Sequence, residues 1–443
     1  MDSQVIGCCL MELRVLKSTG LWQKGIRGCA AVIAALCSLN GYAATRVTPL
    51  SFFEAGQRAI QQAPELKRLH TDIGALEQKA IADGQLSDPK LMAGTLNVPT
   101  NNFSFTQDEM TMIMGGLEQR FPKGHSLAIK SRQTKAQARA TYERLQEQAL
   151  AIVRTAREAW LELYYWEHAA QIIRTNRQLF TYLLKVAQAQ YAAAKATQSD
   201  VLQVQLELSH LEDQQAQIAE QIAQVRAKLG RWVGQEHAQR PLSSHLPRLP
   251  NPPSLNALKT KIQQHPLLKA DLGTINASRE AVALAKEQFK PGVVLDVSYG
   301  VRQGHMDNGQ PRSNMLTAQA TIDLPIFPRL RQTPRLREQY LHLEGAFLDR
   351  AAHYRDLKEM LLGSYATWTQ LTRREALFAK QLMPEATQNA KAALLAYQSA
   401  TTDMTTVLRA YTGQLDIKLE QLRVQVEQRK TRVALLYLQG RMG

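Results

Sequence analysis

The 443-residue chain is poor in aromatic residues (6%), has a mean hydropathy of −0.30, and contains no run of 18 or more apolar residues. The missing run excludes a multispanning helical membrane protein. It leaves a membrane β-barrel open, because barrel strands alternate and average to near-neutral hydropathy. Cysteine is absent after Cys37, since all four (Cys8, Cys9, Cys29 and Cys37) stand near the N-terminus. Also absent are H-E-x-x-H, G-x-S-x-G and Walker-type phosphate loops, and the ten histidines lack metal-ligand spacing. No catalytic residue, cofactor or metal site is assigned, and the chain is expected not to be an enzyme. Acidic residues are outnumbered, 39 against 54 Lys plus Arg, for a formal charge of +15. A basic helical chain invites nucleic acid as a partner. The acids interspersed along the helices, together with an export signal, argue against it.

That signal occupies residues 1–44. Lys24 and Arg27 precede an apolar run from Gly28 to Leu39, followed by the small residues Ala43 and Ala44. This is the order of a secretory signal peptide, and the run is too short for a permanent anchor. The segment before Lys24 is longer than a signal requires, so Met11 is an alternative start. Leu36 before Cys37, and Arg27 two before Cys29, argue against a lipid-modified cysteine. Removal leaves about 399 residues without cysteine, carrying 50 basic against 37 acidic side chains.

The remainder repeats itself. Ile60-Gln-Gln-Ala-Pro-Glu-Leu-Lys67 matches Ile262-Gln-Gln-His-Pro-Leu-Leu-Lys269 at an offset of 202, which Pro89 and Pro291 keep. Phe121-Pro122 matches Phe327-Pro328 at 206, as does Tyr191 with Val201-Leu202 against Tyr397 with Val407-Leu408. The organisation is one structural repeat at 45–240, a Pro-rich connector at 241–251, and a second repeat at 252–443. Each repeat reads as helix, strand, loop, strand, very long helix, tight break, long helix. In the second, Val293, Leu295, Val297, Tyr299 and Val301 alternate with Val294, Asp296, Ser298, Gly300 and Arg302. The return strand puts Leu316, Ala318, Ala320, Ile322 and Leu324 on one face and Thr317, Gln319, Thr321 and Asp323 on the other. Such alternation fits a membrane-barrel strand, and equally a half-buried hairpin. The loop 304–313 is polar and rich in turn residues, and His305, Met306 and Asp307 in it are expected to form a solvated turn. The first repeat is expected to have strands near 90–98 and 109–121. The offset maps Met110, Met112 and Met114 onto Leu316, Ala318 and Ala320, as a lipid-facing stripe.

From Ser126 to Gln190 there is neither proline nor glycine, enough for a helix of roughly 95–100 Å. The matching stretch after Pro334 is interrupted only by Gly345, Gly363 and Pro384, which are expected to break it. Val201, Val204, Leu208, Leu211, Ile218, Ile222, Val225 and Leu229 form a heptad seam, and Gly230 stands at an expected helix end. Thr197 and Asp200 are spaced to cap the returning helix.

Four strands cannot close a barrel. A four-stranded sheet in lipid would leave two edges of unpaired backbone groups at several kcal/mol each. Strands in a membrane therefore require two or three copies to share one barrel, with the long helices continuing it as a tube.

At this point the sequence resembles the TolC-like outer-membrane efflux proteins. The resemblance rests on Phe289-Lys-Pro-Gly-Val-Val-Leu-Asp-Val-Ser-Tyr-Gly300, on Ile322-Asp-Leu-Pro-Ile-Phe327 and on the two Tyr-x9-Val-Leu breaks. Glycine usually follows each tyrosine in that family, and here Ala194 and Ala400 stand instead. Asn97-Val-Pro99, Gln107-Asp-Glu-Met-Thr-Met112, Ala159-Trp-Leu-Glu-Leu-Tyr-Tyr-Trp166 and Leu229-Gly-Arg-Trp-Val-Gly234 resemble the heavy-metal efflux branch. The resemblance implies a mainly α fold with a membrane β-barrel part: a homotrimer with four strands per chain in a shared 12-stranded barrel, above a long periplasmic α-helical barrel. It implies outer-membrane lipid around the strands, and a periplasmic adaptor and an inner-membrane, proton-driven RND-type pump as partners. It assigns adaptor contact to Tyr191, Ala194, Lys195, Thr197, Ser199, Tyr397, Ser399, Ala400, Thr401 and Thr402. Barrel-lumen positions would be Asp296, Ser298, Arg302, Thr317, Gln319, Thr321 and Asp323. The expected function is an exit duct for divalent heavy-metal cations. Alternatives are the outer channel of a drug-efflux or type I protein secretion system, and a periplasmic coiled-coil scaffold outside the membrane.

Overall fold

In the computed structural model the described residues are 48–442, and the signal segment 1–44 with its cysteines lies outside them. From Leu50 onward the chain is one compact unit. Helices α1 (Phe52–Gln62) and α2 (Pro64–Ala82) lead into strands β1 (Lys90–Leu96) and β2 (Met112–Phe121). Helix α3 (Ser126–Ala192) returns as α4 (Gln198–Val233), followed by the single turn α5 (Gln235–Ala238). The same order then recurs as α6 (Leu255–Ile262), α7 (Pro266–Glu287), β3 (Gly292–Arg302), β4 (Met315–Asp323), α8 (Gln332–Leu377), α9 (Met383–Gln398) and α10 (Met404–Leu438). The matched Ile-Gln-Gln-x-Pro segments are the same joint in both copies. One helix stops before the proline and the next begins on it, at Pro64 and Pro266, where a missing N–H costs nothing.

Helix α3 runs 67 residues without interruption, roughly 100 Å at 1.5 Å per residue. Its counterpart keeps going where breaks are expected. Gly345 and Gly363 lie inside continuous α8. At Pro384 the chain widens into a π-turn, Phe378–Leu382, and continues as α9. The wide turn accommodates the proline ring and its missing donor without ending the rod.

The helices associate along heptad stripes. Val204, Leu211, Ile218 and Val225 of α4 are buried at seven-residue spacing, with Val201, Leu208 and Ile222 packed beside them. Opposite them α3 buries Ala169, Ile173, Phe180, Leu183 and Ala187. At the midpoint the connector packs in extended form: Leu50 N–H donates to the Pro241 carbonyl (2.8 Å) and the Trp160 indole to the Leu50 carbonyl (3.0 Å). Trp160 is fully buried, with Phe52 edge-on to it. The Arg432 guanidinium (Nε) ties down the other end of the connector at the Pro250 carbonyl (2.6 Å).

The strands form one antiparallel sheet in the order β1-β2-β3-β4, so the two repeats meet through β2 and β3 while β1 and β4 are free edges within the chain. The first hairpin is shorter than expected at its loop end: β1 stops at Leu96 before Asn97, whose φ is +54°, and β2 begins only at Met112.

Candidate functional site

The register divides the sheet into two faces. Leu91 and Ala93, Ile113 and Leu117, Val297 and Tyr299, and Leu316, Ala318, Ala320 and Ile322 share one of them. It is apolar, and no other element of the described chain covers it: Leu91 is 79% exposed and Leu316 74%. The opposite face carries Lys90, Glu118, Arg120, Asp296, Ser298, Thr317, Gln319, Thr321 and Asp323, with Lys90 and Glu118 paired at 3.1 Å. Asp296 and Ser298 of β3 are the shielded residues, and Leu295, Val297 and Tyr299 the exposed ones.

Met110, Met112 and Met114 do not form the expected lipid-facing stripe. Met110 precedes the strand, and Met112 and Met114 lie opposite Arg302 and Gly300 on the polar face. Gly300 makes room there, since a Cβ on it would meet Met112 Sδ at 2.5 Å. A one-residue error in register moves every side chain to the other face. The apolar stripe of β2 is Ile113, Gly115 and Leu117.

Arg302 also lies on the polar face by register, but its guanidinium is engaged at the strand end. It donates through Nε to the Ser313 carbonyl (2.6 Å) and through Nη1 to the Glu109 carbonyl (3.3 Å). Arg312 reaches the Asp108 (2.8 Å) and Thr106 (3.3 Å) carbonyls. The two long loops, from different repeats, are thus laced by two arginines, and no sequence motif marks that role. His305 and Met306 form a tight turn, the Met306 N–H donating to the Gln310 carbonyl at 2.8 Å.

At the far end of the helices both breaks are tight hairpins with the same cap. The Lys195 N–H donates to the Gln190 carbonyl (2.9 Å) and Ala194 to Tyr191 (3.0 Å); Thr401 donates to Ala396 (2.9 Å) and Ala400 to Tyr397 (3.0 Å). These are Schellman caps, whose pivot is left-handed and usually glycine. Here Ala194 has φ +57° and Ala400 φ +58°. The expected capping box forms: Thr197 N–H donates to Asp200 Oδ2 (2.9 Å) and Asp200 N–H to Thr197 Oγ1 (3.3 Å). In the second hairpin Asp403 takes the cap role, accepting from Thr406 N–H at 2.9 Å. The two helix starts touch, Thr405 Oγ1 donating to Gln203 Oε1 at 3.0 Å.

The ten candidate tip residues are therefore brought together, but not equivalently. Ala194, Lys195, Thr197, Ser199, Ser399, Ala400 and Thr401 are exposed and Thr402 is half-buried. Tyr191 is 50% exposed, whereas Tyr397 is 6% exposed and packed in the main core cluster with Met404 and Val407. Burial, with the Asp200 charge beside it, pushes the Tyr397 phenol above its ordinary value. Among the described residues no helix is long and apolar enough to cross a membrane, and no group of three or more His, Cys, Asp or Glu is placed to hold a metal.

No family profile and no curated protein matches the sequence. Solved structures do match. The outer-membrane channel OprN superposes with a TM-score of 0.74 at 15% identity, over 88% of this chain and 89% of that one. CusC gives 0.76 at 13% identity, over 89% and 93%. The outer-membrane protein VceC from Vibrio cholerae gives 0.74 at 17% identity, over 88% and 96%. The fold is that of the TolC-like outer-membrane channels.

Proposed function

We propose that the chain is one subunit of an outer-membrane exit duct. The observation that carries this reading is the sheet, apolar and bare on one face, polar on the other, with β1 and β4 unpaired. In water such a face invites association. In lipid it is satisfied, but each open backbone group at an edge costs several kcal/mol. Both demands are met when β4 of one copy pairs with β1 of the next and the ring closes. Three copies give a twelve-stranded barrel with the polar faces, including Asp296, Ser298, Thr317, Gln319, Thr321 and Asp323, lining the lumen. The rods continue the tube, and the hairpins at Tyr191–Thr197 and Tyr397–Thr402 form its periplasmic tip. The tip meets an adaptor, through which an inner-membrane, proton-driven pump supplies the energy. A soluble periplasmic scaffold has no use for the bare apolar face, which favours the duct.

The cargo proposed is a divalent heavy-metal cation, on the four segments that resemble the metal-efflux branch. A conduit needs no tight site, since tight binding slows release. The duct reading predicts a heat-modifiable trimer in the outer-membrane fraction and single-channel conductance in planar bilayers. A soluble periplasmic monomer without conductance would refute it. Deleting the gene should raise sensitivity to divalent cations more than to dyes or detergents, and the opposite profile reassigns the duct to drug efflux or type I secretion.

A further inference from the structure

Just beyond β4 the chain runs Leu324-Pro-Ile-Phe-Pro-Arg-Leu-Arg-Gln-Thr-Pro-Arg-Leu-Arg337, with four arginines and no acid. Arg329, Arg331, Arg335 and Arg337 are exposed, and among the described residues none of their guanidinium groups has an ion-pair partner. Some arginines farther along the rods are instead held by carboxylates: Arg374 pairs with Glu420, Arg429 with Glu375 and Arg226 with Glu167. The apolar residues of the segment are bare as well. Leu324, Ile326, Phe327 and Leu330 are 68%, 69%, 70% and 86% exposed. The first repeat has a lesser version, with Arg120 and Lys123 flanking Phe121-Pro122 at the end of β2.

Depth and charge together identify the occupant. Strands of 9 and 11 residues tilted in a barrel match the hydrocarbon thickness. Residues immediately past their ends therefore stand where headgroups begin, a level that favours apolar side chains mixed with cations. A neighbouring copy would not answer the charge. Its β1 edge brings the turn before Lys90, where Asp83 is already held by Lys130 at 2.8 Å and Asp88 remains; with the flanking Asp323 and Glu338, the latter beside His342 at 3.7 Å, the acids still number fewer than the four arginines. Resting on the membrane reading above, we infer that Arg329, Arg331, Arg335 and Arg337 form a seat for the phosphates of anionic phospholipid, in the leaflet facing the helical body. The exposed Phe327 and Leu330 anchor that seat in the acyl boundary.

The test is lipid selectivity of the full-length chain reconstituted in phosphatidylcholine vesicles, with trace spin-labelled phosphatidylglycerol or phosphatidylcholine as the probe. The expected result is an association constant for phosphatidylglycerol roughly fivefold or more above that for phosphatidylcholine, falling when salt is raised to about 0.5 M. The R329Q/R331Q/R335Q/R337Q variant should lose the preference, and the fourfold Arg→Lys variant should keep it. No preference in the wild type overturns the inference, as does a preference that survives the Gln variant. So does a preference abolished by inorganic phosphate at constant ionic strength, which marks a soluble-anion site. A chain that inserts and conducts without lipid preference refutes only the headgroup seat. One that neither inserts nor conducts refutes the duct as well.

Discussion

The two left-handed alanines give the sharpest quantitative test of the tip geometry. For an L-residue with a Cβ the left-handed region costs roughly 1–2 kcal/mol, and Ala194 and Ala400 each bear that cost at φ +57° and +58°. Glycine removes it but loses more backbone freedom on ordering, about 0.5–1 kcal/mol relative to alanine. Ala194→Gly and Ala400→Gly should therefore each stabilise their own hairpin by about 0.5–1 kcal/mol. Both sites are exposed, so no packing term intervenes within the chain. Amide hydrogen exchange suits the test, because it reads local opening without requiring the whole assembly to unfold reversibly. Peptides covering 189–202 and 395–408 should exchange about two- to fivefold more slowly in the matching variant. Ala392→Gly supplies the opposite sign. Ala392 is exposed inside α9, where glycine costs roughly 1 kcal/mol, so its peptide should exchange faster. If all three substitutions loosen their surroundings, the left-handed strain is not what limits opening at the tip.

Two further outcomes follow from the helical body. His265 caps α7 by accepting from the Leu267 N–H at Nδ1 (3.3 Å), which fixes its Nε2–H on the Tyr437 carbonyl (3.1 Å). Burial pushes its pKa down from 6.5 to about 4, so the unfolded chain takes up the proton first. Stability is then whole above pH 6.5 and falls as pH drops toward 4, by about 3 kcal/mol at roughly 1.4 kcal/mol per pH unit. His265→Asn keeps a capping acceptor and should flatten that window in thermal melts taken from pH 7 to 4. Gly273→Ala should speed amide exchange in 266–287 despite better helix propensity, because the new Cβ would meet the Ala140 backbone at 2.7 Å, an overpacking cost of about 1–3 kcal/mol. Slower exchange there would mean that α7 and α3 can separate freely.

Much of this architecture is written in periodicities. The heptad seam of α4, the doubled Ile-Gln-Gln-x-Pro joint and the Thr197–Asp200 box are each local patterns with one physical reading, and each forms as expected. The β2 face does not follow from the repeat offset, because that offset spans loops of unequal length. The strand's own Ile113 and Leu117 against Glu118 and Arg120 carry the correct phase. Gly345 and Gly363 do not break α8, because propensity counts weakly against a rod whose neighbours hold it. The lacing of the loops by Arg302 and Arg312 uses backbone carbonyls from a distant loop, and no short pattern encodes that. The burial of Tyr397 beside an exposed Tyr191 is likewise a property of neighbours.

The π-turn at Phe378–Leu382 has a consequence for valency. It gives the second rod one wide turn that the first rod lacks, although the two rods occupy matching places in the order of elements. The two hairpins at the far end accordingly differ, with Tyr191 exposed at one and Tyr397 buried at the other. In the ring of three chains proposed above, this gives six hairpins of two kinds, not six equal seats. A partner with a single mode of engagement would saturate at one copy per chain. A partner found at two copies per chain must use two distinct footprints, one over the open Tyr191 and one over the closed Tyr397.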